Sequence, residues 1–182
     1  MSLLAEAPEL TDHAHGRKLA QDLIDRICLS ADIADALFSV LSVHGGIEAR
    51  LRLLTRALVR VFSAPGQDIE IRIDVDTDPW KHHAEIILQI THELVSNAVR
   101  HGLRGYMTGT IAIMLQRGRH DAVRLIVSDN GRGFAARAEP GEGLRIVQDL
   151  VARNGGTLTL PEPGRPARMQ VYLPPGRRRH EI

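Results

Sequence analysis

The chain has 182 residues, of which 43% are hydrophobic, so it is long enough for one domain with a small helical addition and apolar enough to build a core. A formal charge of +1 argues against a surface dedicated to nucleic acid or to an anionic membrane. The single cysteine, Cys28, excludes an intramolecular disulfide and argues against a cysteine-based zinc site. Because residues 1–10 lack the features of a signal peptide and no stretch of 18 residues is free of charge and apolar throughout, we expect a cytoplasmic protein without a membrane span.

Two helical patterns open the chain. Between about residues 17 and 43, and again over 47–61, apolar residues recur at intervals of three and four, which predicts amphipathic helices. Gly45 and Gly46 separate the two patterns, and a Pro-Gly turn at 65–66 ends the second. A short turn between two helices predicts that they lie antiparallel as a hairpin, although Ser30 and Asp32 could divide the first helix in two.

After Gly66 the apolar period changes to two, which predicts a strand over 69–75 and marks a domain boundary. A long helix is predicted over 81–101, with Gly102 as its left-handed C-terminal cap. The remaining predicted elements are strands over 111–115 and 123–127, a helix over 143–154, and strands over 157–160 and 169–173. This order predicts an α+β fold of two layers, a mixed sheet with helices on one face, preceded by the helical hairpin. The predicted domains are residues 1–65, 66–176 and a basic tail at 177–182.

Three segments carry residues suited to binding a nucleotide. On the long helix, Glu93, Asn97 and Arg100 fall on one stripe at 100° per residue, although an ordinary solvated face would show the same triad. Asp129 ends a predicted strand on its core-facing side, where a buried acid needs a donor such as an amino group of a base, or else nearby backbone N–H groups. Gly131 and Gly133 follow and would let the backbone turn sharply and approach a ligand.

The third segment is Gly141-Glu142-Gly143-Leu144, directly before a helix. A glycine turn that opens a helix presents free backbone N–H groups and the positive end of the helix dipole, which favours phosphate, although such turns are common in proteins of every kind.

The order of the three segments is more specific than any one of them. His-Glu-Leu-x-x-Asn-Ala-x-x-His-Gly at 92–102, Asp-Asn-Gly-x-Gly at 129–133 and Gly-x-Gly-Leu at 141–144 resemble the N, G1 and G2 boxes of the ATPase superfamily that includes gyrase, heat-shock chaperones, histidine kinases and MutL. The resemblance covers about residues 67–175 and is nearest to bacterial sensor histidine kinases with a short lid. It implies a Bergerat-type ATP-binding fold, and the preceding helix pair resembles more loosely the dimerisation helices of such kinases.

The resemblance also implies roles for individual residues. Asn97 would coordinate Mg²⁺, Asp129 would bind the adenine amino group, and Glu93 would position or deprotonate the attacking group. The other residues implied to contact ATP are Arg100 or His101, Gly131, Gly133, Gly141, Gly143 and Leu144. Only the residues 134–140 separate Gly133 from Gly141, so the lid is short. The usual phosphoacceptor motif is absent, and His13 and His15 at the start of the first helix are weak candidates that a solvated helix entry also explains.

The sequence therefore leads to the expectation of a homodimeric histidine kinase that binds Mg²⁺ and ATP, transfers the γ-phosphoryl group to a histidine, and acts with a response regulator or another signalling protein in two-component signalling. An anti-sigma-factor-type protein serine kinase, or a degenerate nucleotide-binding docking module without phosphotransfer, remains open as an alternative.

Overall fold

The computed structural model describes residues 46–77, 79, 81–134, 141–162 and 164–175. The predicted helix over 17–43, the candidate phosphoacceptors His13 and His15, and the basic tail at 177–182 lie outside the described residues, as does most of the lid at 135–140. The predictions made for them stay predictions.

The described elements follow one another much as the sequence predicts. They are α1 (Gly46–Phe62), β1 (Asp68–Val75), α2 (Lys81–Asn97), β2 (Thr108–Arg117), β3 (Val123–Asp129), α3 (Glu142–Arg153), β4 (Thr157–Thr159) and β5 (Arg168–Leu173). A 3₁₀ turn (Arg119–Asp121) joins β2 to β3, at the polar turn predicted there. None of the helices in the described ranges is long and apolar enough to cross a membrane.

The strands form one five-stranded sheet in the order β1-β2-β3-β5-β4. β1 and β2 are parallel because α2 carries the chain back across the sheet between them, whereas the other neighbouring pairs are antiparallel. The predicted mixed sheet is therefore confirmed. In the register of β2 with β3, Ile111 lies opposite Asp129, so the end of β3 stands near the start of β2, on the sheet edge where a site can form.

The core lies between the sheet and the three helices, which cover one face of the sheet. Alternate residues of β2, such as Ile111 and Ile113, are fully buried in this core, while Ala112 between them is half-buried on the opposite face of the sheet. On α1, the side chains of Leu51, Leu54 and Leu58 are buried in this same core cluster. The boundary predicted at residue 66 thus falls between two elements that share one core, and α1 packs on α2 and β1 as part of the sheet domain.

The end of α2 differs from the prediction. After Asn97 the helix continues as a π turn (Ala98–Gly102), in which the Leu103 N–H donates to the Ala98 carbonyl at 2.8 Å. Gly102 is not among the glycines of positive φ, so its predicted role as a left-handed cap is wrong. The left-handed glycine of this segment is Gly105, with φ of 86° in the loop that follows.

Candidate functional site

A cavity of about 430 Å³ lies between the end of α2, the turn after β3 and the start of α3. Its volume is in the range of small-molecule sites. The apolar side chains of its wall are Leu94, Ala98, Val127, Phe134, Leu144, Ala167 and Met169. The polar side chains that line it are Asn97, His101, Arg104, Asp129 and Arg132. A largely apolar slot with a few polar groups suits a flat aromatic base that carries hydrogen-bonding edges.

Asp129 stands at the inner end of this cavity because it is the last residue of β3 and faces the same side as the core residues Leu125 and Val127. Its Oδ1 accepts a hydrogen bond from the Gly131 N–H at 3.0 Å. This is the only side-chain hydrogen bond of Asp129 to any described residue, so the carboxylate keeps capacity to accept a donor from a ligand. Burial raises the pKa of the Asp129 carboxyl, and the Gly131 hydrogen bond lowers it in part.

The raised pKa gives a testable consequence for stability. A buried carboxylate whose folded-state pKa is raised destabilises the folded protein while it is charged, and this cost disappears as the pH falls through the raised pKa towards the unperturbed value of 3.8. We therefore expect Asp129→Asn to raise the melting temperature at pH 7 by about 2–4 °C for each kcal/mol gained, and to lose this advantage below pH 3.8. Thermal unfolding measured across that pH range checks it, with the exposed Asp149→Asn on α3 as the control. No gain at pH 7 would contradict the expectation.

The glycines after β3 make different contacts. A Cβ on Gly131 would overlap the Gly102 carbonyl, and the Arg132 N–H donates to that same carbonyl at 3.0 Å. Gly131 was expected to let the backbone approach a ligand, but the structure places it against the π turn, behind the cavity. Gly133 does line the cavity and has φ of 80°, which favours glycine.

Glu93 and Asn97 lie beside the start of α3. A Cβ on Gly143 would stand 2.5 Å from Oε2 of Glu93 and 3.7 Å from Nδ2 of Asn97, so a larger residue at this position would require the Glu93 carboxylate to move. The other oxygen of Glu93, Oε1, is 3.0 Å from Nδ1 of His92. Gly141 precedes α3 in an extended conformation and, as a glycine, offers no side-chain cap to the first N–H groups of α3.

Of the two residues predicted as alternatives for phosphate, the structure brings only His101 to the cavity. The guanidinium of Arg100 lies instead over the Phe62 ring, 5.5 Å from its centroid, and so links the end of α2 to α1. The π turn explains the difference, because it takes more residues per turn than an α-helix and rotates Arg100 off the stripe that Glu93 and Asn97 begin.

Backbone contacts that the sequence did not reveal hold the turn after β3. The Asp129 N–H donates to the Ala167 carbonyl at 3.0 Å, and the Phe134 N–H donates to the Arg165 carbonyl at 3.2 Å. On the other side, Oδ1 of Asn130 accepts from the Thr110 N–H at 2.7 Å. The loop between β4 and β5 therefore forms a wall of the cavity. Its contacts are made by main-chain groups, which every residue type carries, so the sequence could not predict them.

Comparison with known proteins fits this geometry. Residues 82–177, more than half of the chain, match the family described as histidine kinase-, DNA gyrase B- and HSP90-like ATPases. The chain belongs to this ATPase family. The Bergerat-type fold predicted from the sequence is therefore confirmed, and the cavity lies between the three family boxes. No curated protein matches the chain.

Solved structures agree on the fold. The histidine kinase domain of the blue-light activated histidine kinase EL346 from Erythrobacter litoralis is similar with a TM-score of 0.67 at 19% identity, covering 94% of this chain and 92% of that domain. The longer EL346 protein gives a TM-score of 0.63 at 21% identity, covering 87% of this chain and 48% of that one. Full-length ShkA in complex with AMPPNP gives 0.52 at 23% identity, with 87% and 37% covered. The chain thus spans less than half of each of these two longer proteins.

Proposed function

We propose that the protein binds Mg²⁺ and ATP in this cavity and transfers the γ-phosphoryl group to a histidine, as a cytoplasmic homodimeric kinase in two-component signalling. The proposal depends on one observation: Asp129 and Asn97 line the same cavity. Helix α3 begins at the outer side of this cavity. Membership of the ATPase family and the kinase folds of the similar structures support it. In ShkA, a protein of this fold is in complex with the nucleotide AMPPNP.

The inner part of the cavity fits adenine. Leu94, Val127 and Met169 offer apolar surfaces to the faces of a purine ring, and the Asp129 carboxylate offers an acceptor to its exocyclic amino group. A base bound there would give the half-buried carboxylate the second donor that the described residues do not supply. Burial of an otherwise poorly satisfied acid is a cost that ligand binding would repay.

The outer part of the cavity fits the phosphates and their metal ion. Asn97 offers a side-chain oxygen to Mg²⁺, and the N–H groups at the start of α3 and the His101 imidazole would contact phosphate oxygens. Among the described residues no group of three His, Cys, Asp or Glu side chains could hold a metal ion. Mg²⁺ bound with ATP typically uses one or two protein ligands, together with phosphate oxygens and water, and neutralises charge on the transferring phosphoryl group.

Glu93 would serve as the proton acceptor. In the proposed reaction the imidazole nitrogen of the acceptor histidine attacks the γ-phosphorus, the bond to the β–γ bridging oxygen breaks, and ADP leaves. The unprotonated ring nitrogen attacks with its lone pair, so the N–H on the other ring nitrogen loses its proton, and the Glu93 carboxylate beside the start of α3 can receive that proton or orient the ring. The acceptor is another residue of this chain, of its partner copy or of a second protein.

Labelling with γ-labelled ATP tests the proposal directly. Incubation of the full chain is expected to give a label that is lost in acid and kept in alkali, as phosphohistidine requires, and a candidate response regulator is expected to take this label over as an acyl phosphate, which is lost in alkali. An acid-stable label on a partner would replace the proposal by a serine kinase of the anti-sigma-factor type. ATP binding without any label would replace it by a docking module, and absence of ATP binding would reject the nucleotide site itself.

A further inference from the structure

The carboxylate of Asp129 rests against Gly102, the last residue of the π turn. A Cβ built on Gly102 would lie 2.7 Å from Oδ1, 2.9 Å from Cγ and 3.0 Å from Oδ2 of Asp129. Real Cβ atoms do not approach carboxylate atoms this closely, so any other residue at this position would force Asp129 to move. The backbone of Gly102 has no positive φ that would itself require glycine. The requirement for glycine therefore comes from the carboxylate and not from the main chain.

The surrounding main chain leaves little freedom for relaxation. The Gly102 carbonyl accepts the Arg132 N–H, and Gly131 packs directly on that carbonyl while its own N–H holds Oδ1 of Asp129. The π turn ends on Gly102, and the carbonyl of its first residue accepts the Leu103 N–H. A side chain at residue 102 would thus displace the carboxylate more readily than the backbone.

We propose that Gly102 is a positioning residue that sets the base selectivity of the cavity, because its missing side chain fixes where the Asp129 carboxylate meets the amino group of the base. The inference rests on the proposed nucleotide function and adds to it a residue of the cavity wall that has no side chain to offer a ligand. A carboxylate placed to accept from the 6-amino group of adenine meets an acceptor, the 6-oxo group, at the same position in inosine or guanine, whose nearest donor is the neighbouring N1–H. A shift of the carboxylate would therefore weaken binding of ATP and leave binding of ITP almost unchanged.

The test compares ATP and ITP by titration with the full-length wild type and Gly102→Ala. The wild type is expected to prefer ATP by about 10–100-fold, the range for one hydrogen bond to a charged group. Gly102→Ala is expected to lose most of that preference through weaker ATP binding, with ITP affinity within about threefold of the wild type. Gly109→Ala is the matched control, because a Cβ there would come as close, 2.7 Å, but to the buried Leu103 side chain and not to Asp129. It is expected to keep the preference.

A double-mutant cycle separates positioning from general damage. In an Asp129→Ala background the carboxylate that collides with residue 102 is gone, so adding Gly102→Ala is expected to change neither ATP affinity nor melting temperature by much. An unchanged ATP preference in Gly102→Ala, or an equal loss for ATP and ITP in both backgrounds, would overturn the inference. A wild type that binds neither nucleotide would instead overturn the proposed function.

Discussion

Replacement of Leu54 by alanine is expected to lower the melting temperature of the whole described domain by on the order of 10 °C. Leu54 is 0% exposed on α1 and belongs to the core cluster that also contains residues of α2 and the sheet. Truncation of such a leucine leaves a cavity and typically costs about 2–5 kcal/mol. Because a domain of this size has a total stability of about 5–15 kcal/mol, the loss is a large part of it.

The neighbouring Leu53→Ala provides a matched control, because Leu53 lies on the same helix with 43% of its surface exposed. It is expected to change the unfolding free energy by less than about 0.5 kcal/mol. Thermal or denaturant unfolding, followed by a signal from the sheet, measures both variants. If Leu54→Ala left the unfolding of the sheet unchanged, α1 would be an independent helix, as the predicted boundary at residue 66 implied, and the shared core would be wrong.

The periodicity of the sequence was sufficient to predict most of the fold. Ile47, Leu51, Leu54 and Leu58 form the buried stripe of α1 that their spacing predicts, and β1 begins where the period changes to two. Periodicity identifies which side of a helix is buried, but it carries no information about which surface covers that side. The boundary was therefore placed at a change of secondary structure, whereas the structure shows that the core continues across it.

At the candidate site, too, the sequence predicts which side chains take part but not how the backbone is arranged. Residue type and order identified Asn97, Asp129 and Gly143, which the fold brings together around the cavity and the start of α3. The π turn was missed, since an ideal period of 100° per residue assumes an unbroken α-helix. Arg100 consequently points to Phe62 and not to the cavity. No comparable signal in the sequence predicts backbone contacts such as that between Gly131 and Gly102.

Asn97→Ala is expected to lower the rate of label incorporation from γ-labelled ATP by about 100-fold or more, the typical loss for one group that stabilises charge in a transition state. Asn97 lies at the junction between the inner cavity and the start of α3, with its Nδ2 3.7 Å from the place of a Cβ on Gly143. Its amide oxygen is a hard ligand suited to Mg²⁺. The variant keeps Asp129 and the apolar wall, so the base should still bind.

Two affinities therefore respond differently to this substitution. Nucleotide affinity in the absence of Mg²⁺ is expected to stay within about threefold of the wild type, because no base contact is lost, whereas the gain in affinity on adding Mg²⁺ should largely disappear. Gln89→Ala is the control, since it removes an amide from the same helix, outside the residues that line the cavity. Label incorporation by Asn97→Ala within about threefold of the wild type, with Mg²⁺ still strengthening binding, would show that the amide does not hold the metal. The phosphate end of the nucleotide would then lie elsewhere than at the start of α3.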